Sequence, residues 1–171
     1  MKLCKLTDQQ GQTRGDTQWG PGVTHRAAGA QNQPLCSNGW IHAYEDLLVG
    51  VFMNPIHANI RNPRAWECEG EVGLRDGQLK CGCRSLTVTH EIEVPMVTME
   101  HRVRFAIACA WTFGAPSWRK WAANWLDGEE RAAAAWAEEA EAAAVDIVAC
   151  AHWAVTDKPI SALYARTGES E

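Results

Sequence analysis

The stretch over residues 66–95, WECEGEVGLRDGQLKCGCRSLTVTHEIEVP, constrains the fold of this chain more than any other. Asp76-Gly77 lies between two alternating runs, and Asp-Gly is a strong short-range hairpin signal because the central residues of a tight turn must tolerate positive φ. Taken as a two-residue turn, it sets Leu74 opposite Leu79, Val72 opposite Cys81, Gly70 opposite Cys83 and Glu69 opposite Arg84. Side chains alternate along a strand with period two. One face then collects Trp66, Cys68, Val72, Leu74, Leu79, Cys81 and Cys83, and the other Glu67, Glu69, Glu71, Lys80 and Arg84. Cross-strand pairs such as Glu69 with Arg84 add at most about 1 kcal/mol each, so the apolar face supplies the driving force. Beyond Cys83 the apolar set moves to even positions (Leu86, Val88, Ile92, Val94), which predicts a bulge or corner near residues 82–85. Pro95 ends the strand.

The same pattern bears on metal chemistry. Cys68, Cys81 and Cys83 converge on one face, and a zinc site there needs a fourth ligand such as His90. One Cys-x-Cys with a distant single cysteine lacks the paired spacing of zinc sites, and free cysteine is among the most buried residue types. Core packing is the expectation, with no metal and no cofactor. The chain has 171 residues and a net charge of −5, which argues against binding nucleic acid through a basic field. No apolar run is long enough to span a membrane, and MKLCKLTDQQ lacks the apolar core of a signal peptide. A cytoplasmic chain with seven reduced cysteines is expected. Nine tryptophans against three Phe and two Tyr make Trp the main aromatic of the core.

Ahead of the hairpin, LCKL predicts a first strand, GQTRGD a turn, and Val23-Thr24-His25 another strand. Residues 26–38 are polar and broken by Gly and Pro, hence a loop. Residues 39–42 read as a short extended segment. A helix follows with Glu45 and Asp46 in its first turn and Leu47, Leu48, Val51 and Phe52 buried, and Pro55 either stops it or begins the next turn. Beyond Glu100 the character changes. RVRFAIACAWTF is apolar almost all round and predicts a buried helix. Ser117 is the expected N-cap of a second helix carrying Trp118, Trp121 and Trp125 on one face. A long third helix is predicted over GEERAAAAWAEEAEAAAVDIVACAHWAV, with Trp136, Ala140, Ala143, Ile147 and Cys150 as its seam. Pro159 fits the first turn of a last short helix, and residues 168–171 should fray. The predicted class is α+β: an N-terminal α+β domain over residues 1–97, with small antiparallel sheet and one helix, then a block of three to four helices over 98–171 packed on it.

Residues 2–95, through KLTDQQGQTRG, SNGWIHAYEDLL and ECEGEV…DGQLKCGCRSLTVTHEI, resemble an uncharacterised domain family of phage and prophage accessory proteins. The Ala- and Trp-rich tail is similar to tails that follow this domain in related proteins, some described as immunity proteins. The resemblance implies a mobile-element accessory protein, a class rich in factors that block host systems.

Three groups of residues are candidates for function. Trp118 and Trp121 beside Arg119 and Lys120 would anchor a protein partner; the plainer reading packs that stripe in the core, since an exposed triple-Trp patch aggregates. The acidic run Glu138, Glu139 and Glu141 would meet a basic groove, or be an ordinary solvated face. His42, Tyr44 and Glu91 belong to the alternative, an NAD-dependent enzyme like the ADP-ribosyltransferases, suggested by the order of elements; the plainer reading has His42 satisfied by a backbone carbonyl. The expectation is a non-catalytic phage or prophage protein that binds a host protein and counters a defence system such as CRISPR–Cas, with no direct contact to nucleic acid or membrane.

Overall fold

The computed structural model describes residues 1–129 and 145–165. The chain is a mixed α+β protein and divides into two compact units, Met1–Met96 and Val97–Glu171. The described part of the first holds β1 (Lys2–Thr7), β2 (Gln12–Thr13), β3 (Thr17–Gln18), β4 (Thr24–Arg26), β5 (Ile41–Ala43), α1 (Leu47–His57), β6 (Arg64–Asp76) and β7 (Lys80–Ile92). That of the second holds α2 (Met99–Ala110), α3 (Pro116–Leu126), α4 (Ile147–Ala154) and α5 (Ser161–Tyr164).

The long hairpin β6–β7 is the spine of the first unit. Strand β1 pairs antiparallel with β6, while β4 and β5 lie end to end along the other edge of β7, opposite residues 85–87 and 81–83. Immediately after β5, Tyr44 exchanges both backbone hydrogen bonds with Cys4 of β1, at 2.7 and 2.8 Å. The path β1–β6–β7–β5 thus returns to β1 as a small closed sheet. Closure leaves fewer open edges and creates an interior, which side chains fill: Leu3, Trp19, Ala43, Trp66, Cys68, Cys81, Cys83, Leu86 and Val88 form one buried cluster. The indole N–H of Trp66 donates to the Thr7 hydroxyl at 2.8 Å, so the largest interior side chain keeps its polar atom satisfied.

The hairpin register differs from the two-residue turn read in the sequence. Gly77 alone takes positive φ (50°), Leu79 N–H donates to Asp76 C=O at 2.9 Å, and Asp76 pairs with Lys80. The loop is one residue longer, so Leu74 faces Gly82 and is exposed, and Leu79 is only half-buried. Bulges then realign the strands: Val72 faces Cys83, and Gly70 faces Leu86. Arg84 and Ser85 stand against the single Glu71, at the position where the change of phase predicts a bulge. Glu69 faces Thr87, and among the described residues Glu69 and Arg84 form no ion pair.

Cys68, Cys81 and Cys83 are fully buried, whereas Cys36 is exposed. Alkylation of the native protein should therefore reach Cys36 first. For a domain of ordinary stability, labelling of the three interior thiols through unfolding should be slower by about a thousandfold or more. Mass-resolved labelling over time reads this directly, and comparable rates would refute the closed interior.

Helix α1 starts at Leu47, so Glu45 and Asp46 lie before its first turn rather than in it, and the Asp46 carboxylate accepts from Val49 N–H at 2.9 Å as the N-cap. Pro55 does not stop it but sits in its last turn. In the second unit the helix over residues 102–113 is not buried all round: α2 buries only Ile107 and Ala108, and is capped by Thr98. Pro116, not Ser117, opens α3, with Ala115 at the N-cap position. The single long third helix is overturned at its C-terminal part, where Val145 and Asp146 are not helical and Asp146 caps a new helix, α4, through Ala149 N–H at 3.0 Å. Its earlier part, with Trp136, Ala140 and Ala143, lies outside the described residues, as does the tail 168–171.

Candidate functional site

The most organised surface of the first unit is the loop over residues 27–40. It leaves β4 at Arg26, opposite Ser85, and re-enters at Ile41, opposite Cys83, so its two ends meet on β7 with only Arg84 between them. Compact surface loops with adjacent ends are frequently functional. Arg84 comes from the bulge and its guanidinium holds the neck: one nitrogen donates to Gly29 C=O at 2.8 Å and to Gly39 C=O at 3.1 Å. Gly29 N–H donates across the neck to Asn38 C=O at 2.8 Å, and Ala27 N–H to Arg84 C=O at 2.8 Å. Further along the loop, the indole N–H of Trp40 donates to Gln33 C=O at 2.9 Å, and a ring nitrogen of His42 bonds Leu35 C=O at 2.6 Å. The motif around Trp40 and His42 thus supplies the side chains that freeze this loop.

Glycine makes the seat. A Cβ on Gly73 would lie 2.5 Å from the Trp40 ring, and one on Gly82 would lie 2.5 Å from Leu35 and 3.0 Å from Trp40 Cβ. Between the loop and the hairpin shoulder lies a hollow of about 500 Å³, lined by Gln31, Asn32, Gln33, Trp40, Glu71, Gly73, Leu74 and Arg84. Its walls are polar except for Leu74 and the tryptophan.

The interior holds a residue that sequence reasoning missed. Lys5 lies on β1 between Leu3 and Thr7 on the inward face and is only 8% exposed. Its ammonium donates to His42 C=O at 2.9 Å and stands 4.5 Å from the centre of the Trp19 ring. Burial pushes its pKa down from 10.5 to about 8, against the pull of the nearby Cys68, Cys83 and Cys81 sulfurs. Burial likewise pushes the Cys68 thiol up to about 12. The signal in the sequence was the two-residue spacing of Leu3, Lys5 and Thr7.

His42, Tyr44 and Glu91 do not form one site. His42 lies opposite Gly82 on β7, nine residues along the strand from Glu91, on the order of 30 Å at about 3.3 Å per residue. Glu91 is exposed and held by Arg64 through two bonds of 2.8 and 2.6 Å; the bonded guanidinium keeps its carboxyl below the usual range. Tyr44 is buried, its hydroxyl bonded to His57 at 3.2 Å, and burial pushes its pKa up to about 12. Among the described residues no group of three His, Cys, Asp or Glu is arranged to hold a metal ion, and His90 instead meets the Thr89 hydroxyl at 3.2 Å.

In the second unit, Trp118 and Trp121 pack half-buried against a core of Ile107, Ala122 and Trp125, their rings 6.3 Å apart. The stripe is therefore largely core, and it presents only part of each ring. Arg119 is exposed and donates to Gly114 C=O at 3.0 Å; Lys120 is exposed. Glu138, Glu139 and Glu141 lie outside the described residues. Among the described residues no helix is long and apolar enough to cross a membrane. No family model, no curated protein and no solved structure matches the chain.

Proposed function

We propose that the protein is a non-catalytic accessory protein of a phage or prophage. It binds a host protein in the bacterial cytoplasm through the loop 27–40 and the adjoining hairpin shoulder, and so counters a defence system such as CRISPR–Cas. The observation that carries the binding part is the loop itself. Arg84, Trp40 and His42 all bond its backbone carbonyls, which leaves the side chains of Gln31 and Asn32 facing outward on a fixed frame. A loop fixed before binding loses little entropy on association, and side chains on loops held by a rigid scaffold are where recognition concentrates. The mobile-element setting follows from the resemblance of residues 2–95. The acidic run Glu138, Glu139 and Glu141 is a second contact in this reading, meeting a basic surface on the partner.

The test is capture from bacterial lysate followed by mass spectrometry. The wild-type chain should retain one defined host protein, the Gln31→Ala/Asn32→Ala double variant should lose it, and charge reversal at Glu138, Glu139 and Glu141 should weaken it. His42→Ala should act only through loop order, showing as faster proteolysis. NAD should leave the thermal midpoint unchanged. Stabilisation by NAD together with empty capture would overturn the proposal in favour of the transferase alternative.

A further inference from the structure

The hollow beside the loop has a chemical bias that the binding reading leaves unspecified. Arg84 is half-buried in its wall, and among the described residues its guanidinium hydrogen-bonds to the two neck carbonyls alone. Among the described residues it enters no ion pair. A guanidinium is always charged, and its planar fork suits a carboxylate. Here one nitrogen is engaged by neutral carbonyls, and among the described residues the charge has no carboxylate partner. Gln33, in the same wall, has a buried side-chain oxygen that accepts no hydrogen bond from the described residues. A buried acceptor left unmade costs free energy, and rotation of the Gln33 amide toward the hollow would let a ligand N–H supply the missing bond. Leu74 and the edge of Trp40 add an apolar border, and Glu71 stands on the rim in no ion pair among the described residues.

We infer that this hollow is a binding site for an apolar residue's free α-carboxylate flanked by an N–H donor: the carboxylate on Arg84, the N–H on Gln33 and the side chain on Leu74. A volume of about 500 Å³ suits one or two residues. Two sources carry this chemistry, a free amino acid and the last residue of a protein chain. Glu71 distinguishes them, because only the free amino acid offers it an ammonium. The inference rests on reading the loop as a recognition surface, and small probes test it without any host protein.

The experiment is titration of the full-length chain with leucine, N-acetyl-leucine and leucinamide, followed by calorimetry and NMR. A carboxylate probe should bind at least about tenfold more tightly than leucinamide. Preference for leucine, lost in Glu71→Gln, assigns the free amino acid; preference for N-acetyl-leucine, unchanged in Glu71→Gln, assigns a chain terminus. Arg84→Met should abolish binding, but it also releases the loop neck. Gln33→Met is therefore the second variant: it removes an orphan acceptor, so it should raise the melting temperature of the free protein while weakening binding about tenfold. A merely structural Gln33 would instead lower the melting temperature. Leucinamide binding as well as leucine, or no carboxylate probe binding at millimolar concentration, overturns the inference even if lysate capture succeeds. Failure of capture with intact probe binding overturns only the host-protein reading.

Discussion

Replacing Lys5 by methionine should stabilise the protein at pH 7 by about 2 kcal/mol, and the gain should disappear as the pH approaches about 10. Lys5 is held in the closed sheet without a carboxylate partner among the described residues. Its folded pKa is about 8 against 10.5, a difference equivalent to about 3 kcal/mol. Below pH 8 the ammonium is charged in both states, and the folded state carries the full penalty. Between pH 8 and 10.5 the unfolded chain binds more protons than the folded one, so this contribution improves as pH rises. Methionine fills similar volume and has nothing to desolvate. It gives up the bond to His42 C=O and the contact with Trp19, about 1 kcal/mol together, which leaves the net gain stated.

Urea unfolding of both proteins in reducing buffer at steps from pH 7 to 10 is the measurement, and the difference between the two curves is the quantity to follow. The cysteines run the other way. Burial holds Cys4 at about 11 and Cys68 at about 12 in the folded state. Their stabilising contribution is complete below the ordinary thiol range and is lost as pH climbs toward those values. Both proteins should therefore weaken in alkali, and subtraction removes what the two share, leaving the lysine together with its pull on the Cys68 thiol. A variant less stable at pH 7, with a difference that does not change with pH, would mean that the buried ammonium is a net stabiliser.

Lys5 also marks a limit of sequence reading. A lysine in a short strand is ordinarily placed on the solvated face, and only closure of the sheet by the Tyr44–Cys4 bridge turns its side inward. That bridge has no sequence signature, because it is made by backbone groups far apart in the chain. The hairpin was legible because alternation survives over many residues. Trp66, Cys68, Cys81 and Cys83 are inward as their spacing requires. The turn was not, because Asp-Gly fits both a two-residue and a three-residue loop, and the longer one moves Leu74 outward. The pairing differs all along the hairpin, since Val72 faces Cys83 and Gly70 faces Leu86, yet the cysteines were placed inward because each strand's own alternation sets its faces. The candidate site was hidden for a related reason. Arg84 was read as half of a cross-strand ion pair, and His42 as either a chemical group or a residue satisfied by a carbonyl. The second holds for His42, and Arg84 also turns to carbonyls of the loop. Such partners cannot be read from residue types.

The seat of the loop should be as sensitive as the interior. Gly73→Val is expected to destabilise the first unit by about 3 kcal/mol and to expose the loop 27–40 to protease. The backbone at Gly73 is not in the left-handed region, so the loss is one of space, not of φ. An added Cβ meets Trp40 Cζ3 at 2.5 Å and Cη2 at 2.8 Å, and the β-branch of valine adds atoms toward the same ring. Trp40 is almost fully buried and tethered through its N–H to Gln33 C=O. It cannot slide without breaking that bond, and if it swings out it exposes most of a large ring. Gly20→Ala is the matched control, since a Cβ there meets nothing within 4 Å; it should be neutral to slightly stabilising, within about 0.5 kcal/mol. Urea midpoints for the two variants, with mass mapping of the first proteolytic cut, decide the matter. A first cut elsewhere, or equal midpoints, would show that the loop keeps its conformation without the tryptophan seated on the hairpin, and the ordered recognition surface would lose its physical basis.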